Sequence, residues 1–260
     1  MSNHDLIPVA FPLTPRMQAF IEFRDALRLI NQAQDNNSPY MWLAASKEVS
    51  DMLLGEGNKK PIVPTILSLF HIMGKHFKDL ANKHPDYKDN LMQAASDLEE
   101  QAASIRQALE KSLPFLQSDA LLTTYSDLTR KQDPLGYRCS LPQVLHHIWH
   151  EQAQRSETLT GLLQPIVQAV ESLNKMLHAH APWEQRVAKA GVDQIKLAAQ
   201  DDIGLLIIGV SPDVITQGIV PICSGFRSII RLRFEHWLVG KCVKDLTQDQ
   251  PYSLMMVPIS

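Results

Sequence analysis

The chemistry-bearing residues with the sharpest spacing run from Gly225 to Trp237 and read Phe226-Arg227-Ser228-Ile229-Ile230-Arg231-Leu232-Arg233-Phe234-Glu235-His236. Side chains of an extended strand reverse at every residue. Read as one strand, the segment puts Arg227, Ile229, Arg231, Arg233 and Glu235 on one face, and Phe226, Ser228, Ile230, Leu232, Phe234 and His236 on the other. The second face is that of a core; the first is basic and interrupted by one apolar side chain. From Cys223 to Lys244 five Lys or Arg stand against the single Glu235, although the whole chain has a formal net charge of -3. A guanidinium offers a planar fork of donors that matches a carboxylate or a phosphate, so the chemistry available here is capture of an acidic peptide or a phosphate backbone. A solvated strand face, or an edge strand whose charge keeps other strands away, has the same pattern. Lys241 and Lys244 would line the rim, where charge acts chiefly on association rate. Nucleic acid is the weaker occupant: no exposed aromatics interleave with the arginines, and the basic residues are few beside a typical footprint.

Other motifs fall short on spacing. Gly55-Glu56-Gly57-Asn58-Lys59-Lys60 has the look of a phosphate loop but lacks the Walker spacing and its terminal Ser or Thr, and no strand precedes it; a turn between helices explains it. His150-Glu151 opens like a zinc-protease helix, yet position 154 is Gln, so the second ligand is missing. His146 and His150 would share a helix face, with His147 between them, but no third ligand stands nearby. His178 and His180 sit where they complement the end of a helix dipole. No Gly-x-Ser-x-Gly elbow occurs, and Cys139, Cys223 and Cys242 are far apart, odd in number and without a neighbourhood both basic and rich in histidine. The reading is therefore non-enzymatic, with no metal and no cofactor.

The elements that must position the basic strand follow from periodicity and punctuation. With 260 residues and 45% hydrophobic content the chain can bury ordinary cores. Met1 to Pro15 lacks the basic and apolar regions of a secretory signal, and the run Ile203 to Val210 is far shorter than the roughly twenty residues that span a bilayer. A protein of the reducing cytoplasm, without membrane attachment, is expected. From Thr14 to about Ala181 apolar residues recur at three and four: Phe20, Phe23, Leu27 and Ile30 after a Thr14-Pro15 start, then Tyr40 to Leu54, then Pro64 to Leu80. A fourth helix opening at Pro85-Asp86 carries Leu91, Leu98, Ile105 and Leu109 and reads as the antiparallel partner of the third. Asp119 to Arg130 is a shorter helix, Asp133 to Pro142 a turn-rich connector, and Leu159 to His180 a long last helix ended by Pro182. Beyond Trp183 short β-branched runs punctuated by Gly, Pro and Asp read as antiparallel strands. The expectation is an α+β chain, with a helical bundle domain at residues 1–182 and a smaller antiparallel β-rich domain at 183–260.

On several short motifs the chain resembles the ZapD family of Z-ring-associated bacterial division proteins. Near the start these are Phe11-Pro12-Leu13 with Arg16-Met17 and Phe20-Ile21, followed by the glycine turn of Leu54 to Lys60. In the middle they are Cys139-Ser140-Leu141-Pro142, Gln152-Ala153-Gln154-Arg155 and Ala181-Pro182; in the β-rich part, Ser224-Gly225, Arg227-Ser228 and Arg233-Phe234. Ile229 stands where the family's basic strand commonly has arginine, and Arg231 follows two residues on. The resemblance implies a helical domain plus a β domain, a homodimer, location at mid-cell, and binding of the C-terminal tail of the tubulin-like FtsZ, so that a two-site dimer bridges filaments. On that reading Arg227, Arg231 and Arg233 are the partner site, with Lys241 and Lys244 beside it.

Overall fold

The computed structural model describes residues 6–57, 59–133, 140–151, 153–179, 181–198, 202–226, 228–237, 239 and 244–258. The chain is α+β: helices fill its N-terminal part and antiparallel strands its C-terminal part. It divides into two compact units, Glu22–Asn174 on one hand and Met1–Ile21 with Lys175–Ser260 on the other. The β-rich unit thus draws on both ends of the sequence.

Thr14 starts α1 (Pro15–Asp35): its hydroxyl accepts the Met17 N–H at 3.2 Å and its carbonyl the Gln18 N–H at 2.9 Å, the cap that a Thr-Pro start supplies. In the helical unit, α2 (Pro39–Leu54) ends at Gly55 as the sequence suggests, and α3 (Val63–Lys83) runs into a short 3-10 turn at Pro85–Tyr87. The next helix, α4 (Lys88–Ser118), packs back along α3. It continues past Leu109, where the apolar stripe weakens, and through Pro114, whose carbonyl is taken by the Ser118 hydroxyl at 2.7 Å. At the head of α5 (Ala120–Arg130), Asp119 caps the N–H groups of Leu121 and Leu122 at 3.0 Å each, and its other oxygen receives Arg155 at 2.6 Å.

Residues 134–139 of the expected connector lie outside the described residues, while its end, from Leu141, already belongs to α6 (Leu141–Glu151). The last long helix, α7 (Ala153–Ala179), begins six residues before the expected Leu159, because polar first turns carry no apolar signal. Trp42, fully buried, packs against Trp149 with ring centroids 5.5 Å apart and planes tilted by 60°, and the Trp149 indole N–H donates to Asn37 at 2.7 Å. Arg28 holds Glu171 through two bonds of 2.6 and 2.8 Å, and buried Arg24 donates to Asn174 at 2.9 Å, tying α1 to α7 within this unit.

The β-rich unit is a sandwich of two antiparallel sheets. One has the order β1 (Ile7–Pro12), β4 (Ile203–Val210), β8 (Gln250–Pro258), β2 (Trp183–Ala188). The N-terminal β1 was not legible as a strand, since Ile7-Pro8-Val9-Ala10-Phe11-Pro12 carries two prolines; both are tolerated because β1 is an edge strand. The second sheet has the order β3 (Val192–Lys196), β6 (Ile229–His236), β5 (Ile219–Phe226), with β7 (Lys244–Asp245) pairing the end of β6; a short α8 (Pro212–Thr216) leads into β5. Leu206, Ile208, Val210, Tyr252 and Leu254 of the first sheet meet Ile195, Ile219, Ile230, Leu232 and Phe234 of the second. The other face of the first sheet, with Leu205, Ile207, Met255 and Val257, is buried as well, which is why β4 reads as an unbroken apolar run.

Among the described residues no helix is long and apolar enough to cross a membrane.

Candidate functional site

The basic segment does not form one strand. Phe226 ends β5 and pairs with Ile229, the first residue of β6, so a hairpin interrupts the alternation expected from Phe226 to His236. Gly225 makes the close approach possible: its φ is +142°, and a Cβ there would lie 2.4 Å from the Ile229 carbonyl oxygen. From Ile229 onward the expected alternation holds. Ile230, Leu232 and Phe234 are 4%, 0% and 0% exposed and form the sandwich core, whereas Ile229 is 49% exposed and Arg231 is exposed. β6 is also no edge strand. With β5 on one side and β3 and β7 on the other, the charges of Arg231 and Arg233 do not serve to protect an open edge.

Register fixes what shares the outer face, since directly paired residues point the same way. Ile229 stands opposite Lys196, Arg231 opposite Gln194 and Ser224, and Arg233 opposite Val192 and Ile222. Lys196, Gln194 and Ser224 are exposed. Lys196 thus joins Arg231 and Ile229 in one patch. Sequence reasoning missed it because the β3 alternation shows only that Lys196 and Ile195 oppose each other, not which strand is its neighbour.

The charge changes sign along β6. Arg233 donates to Glu235 at 2.7 Å, and the other oxygen of that 8%-exposed carboxylate accepts the Trp237 indole N–H at 3.0 Å. Asp245 is paired with Glu235 and extends the acidic end. Arg233 therefore has its charge paired within the sheet, and among the described residues the outer face offers Arg231 and Lys196 as cations outside any ion pair, with apolar contact from Ile229. Lys244 is exposed but pairs with His236, one residue out of phase with the arginines, so it does not share their face. Arg227 and Lys241 lie outside the described residues.

Behind this face the polar contacts are structural. Tyr252 donates to Asp193 at 2.5 Å and Arg186 reaches the same carboxylate at 3.3 Å, a link between the two sheets. Burial, then the Asp193 bond, pushes the Tyr252 phenol upward, and burial pushes the Cys223 thiol up to about 12, which leaves it unreactive at neutral pH. Among the described residues no group of His, Cys, Asp or Glu is arranged to hold a metal ion; Cys139, Cys242 and His180 are outside them.

No protein-family model matches the chain, and no curated protein matches it in sequence.

Proposed function

We propose that the chain is a non-enzymatic division factor that binds the C-terminal tail of FtsZ on the outer face of β3, β6 and β5, and as a homodimer cross-links FtsZ filaments at mid-cell. The motif resemblance supplies the partner; the observation that carries the binding mode is the exposed patch of Arg231, Lys196 and Ile229 on a strand whose alternate residues are rigid core. The resemblance implies a tail that combines acidic and apolar side chains. Two cations beside an exposed isoleucine complement both, and a β-sheet scaffold fixes their backbone, so that only the side chains have to be ordered on binding. Bridging needs two sites held together, which a dimer provides without any new contact to the tail.

Co-sedimentation with assembled FtsZ, full-length and tail-deleted, tests the reading. Bundling of full-length filaments that is lost on tail deletion is expected. Bundling that ignores the deletion, or a gel shift of mixed nucleic acid at lower protein concentration than FtsZ binding requires, contradicts it. Sedimentation of the pure protein as a monomer at micromolar concentration removes the cross-linking part.

A further inference from the structure

The helical unit is grooved along the seam between α3 and α4. A cleft of about 340 Å³ opens there, at the lower end of the roughly 300–1,000 Å³ of small-molecule sites. Its floor is apolar, formed by Leu67, Phe70 and Leu98, of which Phe70 and Leu98 are 2% and 1% exposed. The middle is hollowed by two small residues, Gly74 on α3 and Ala102 on α4. Nothing lies within 4 Å of the position a Gly74 Cβ would take. A glycine in a helix interior costs roughly 0.5–1 kcal/mol relative to alanine, and here it is not needed for turn or close packing; what it yields is space.

The rim is cationic. Lys78 is held by Glu99 at 2.7 Å. Antiparallel steps of one turn from that pair bring Lys75 abreast of Ala102 and His71 abreast of Arg106. Lys75 and Arg106 are exposed, line the cleft, and meet no carboxylate in an ion pair among the described residues. Three permanent cations therefore surround an apolar trough against one acid, and long basic side chains can fold their stems over an apolar ligand while their heads reach its charge. From Lys75 to Leu67 the trough follows α3 for about 12 Å at 1.5 Å per residue, the span of an extended chain of about ten carbons.

From this geometry we infer that the α3–α4 cleft binds an anionic amphiphile, a single carboxylate on an unbranched apolar chain, with the carboxylate held by Lys75 and Arg106 and the chain running over Gly74, Phe70 and Leu67. Charge complementarity selects the head, and the trough selects the tail. All of the residues that line the cleft belong to the helical unit.

Calorimetric titration of the full chain with sodium decanoate below its micelle concentration tests the inference, with 1-decanol and inorganic phosphate as separate titrants. Saturable one-to-one decanoate binding is expected, at least tenfold tighter than either control. Gly74→Leu, which fills the trough with a good helix former, and the pair Lys75→Glu with Arg106→Glu should each weaken it at least tenfold with circular dichroism unchanged. Ala102→Leu serves as the filling variant should Gly74→Leu not fold. No saturable binding, decanol binding as tightly as decanoate, phosphate alone matching it, or undiminished binding by the filled variant overturns the proposal.

Discussion

Gly225→Ala is the most informative single change in the β-rich unit, because that position sets the hairpin which aims β6. Its φ of +142° lies in a region that residues with a Cβ rarely adopt, at a cost of about 1–3 kcal/mol. The added methyl would also stand 2.4 Å from the Ile229 oxygen and 3.0 Å from the Ile230 Cα, both backbone atoms of the paired strand, so relief requires the strands to part at the hairpin. Together these predict a loss of about 2–4 kcal/mol. Gly57→Ala is the matched control: its φ is +64° and nothing lies within 4 Å of the new methyl, so only about 1 kcal/mol is expected. Urea unfolding followed by circular dichroism gives the difference as a shift in midpoint at unchanged slope. Amide exchange across residues 219–236 should accelerate in Gly225→Ala alone. Equal costs for the two variants, or no change in exchange at the hairpin, would refute the claim that Gly225 is required by the β5–β6 approach.

Glu235→Gln should lower stability by about 1 kcal/mol, a modest figure because Arg233 is 44% exposed, yet leave tail binding unchanged or tighter since Arg233 is released; calorimetry and a peptide titration check both. Asp119→Ala removes a helix cap and the ion pair with Arg155, 22% exposed, so a loss of about 1–2 kcal/mol in thermal unfolding is expected. The pH prediction rests on Cys223. Its folded-state value lies above the ordinary 9.0, so the fold retains the proton longer than the unfolded chain does. The stabilisation is complete below about pH 9 and is lost as pH rises toward about 12. The urea midpoint should fall over that window, more gently in Cys223→Ala, and at pH 8 thiol reagents should react with Cys223 more slowly than in the urea-unfolded chain.

Most of the helical half was legible because amphipathic periods and caps are local. Thr14-Pro15, Gly55 and Asp119 mark ends that the structure keeps. What was missed depended on partners distant in sequence. β1 is a strand only because β4 offers an apolar edge, and its two prolines hide it. Lys196 joins Arg231 and Ile229 only through the β3–β6 register, which no periodicity in either segment reveals. The alternation from Ile229 to Phe234 was readable since a half-buried strand imposes a period of two, but the same alternation was extended back across the hairpin, where Gly225 carried the contrary signal. Lys244 failed as a neighbour of the arginines for a similar reason: its strand partner, His236, sets its phase.

The central claim is tested most directly by titrating a labelled FtsZ C-terminal tail peptide with the wild-type protein and with Arg231→Glu combined with Lys196→Glu, each at low and physiological salt. Both side chains are exposed and outside the core, so circular dichroism and melting temperature should not change. Loss of charge-assisted contacts predicts weaker binding by about 1.5–3 kcal/mol, on the order of 10- to 150-fold, with wild-type affinity falling as salt screens the pair. Undiminished affinity in a natively folded double variant at low salt would contradict the account and leave the outer face of β6 a solvated strand surface.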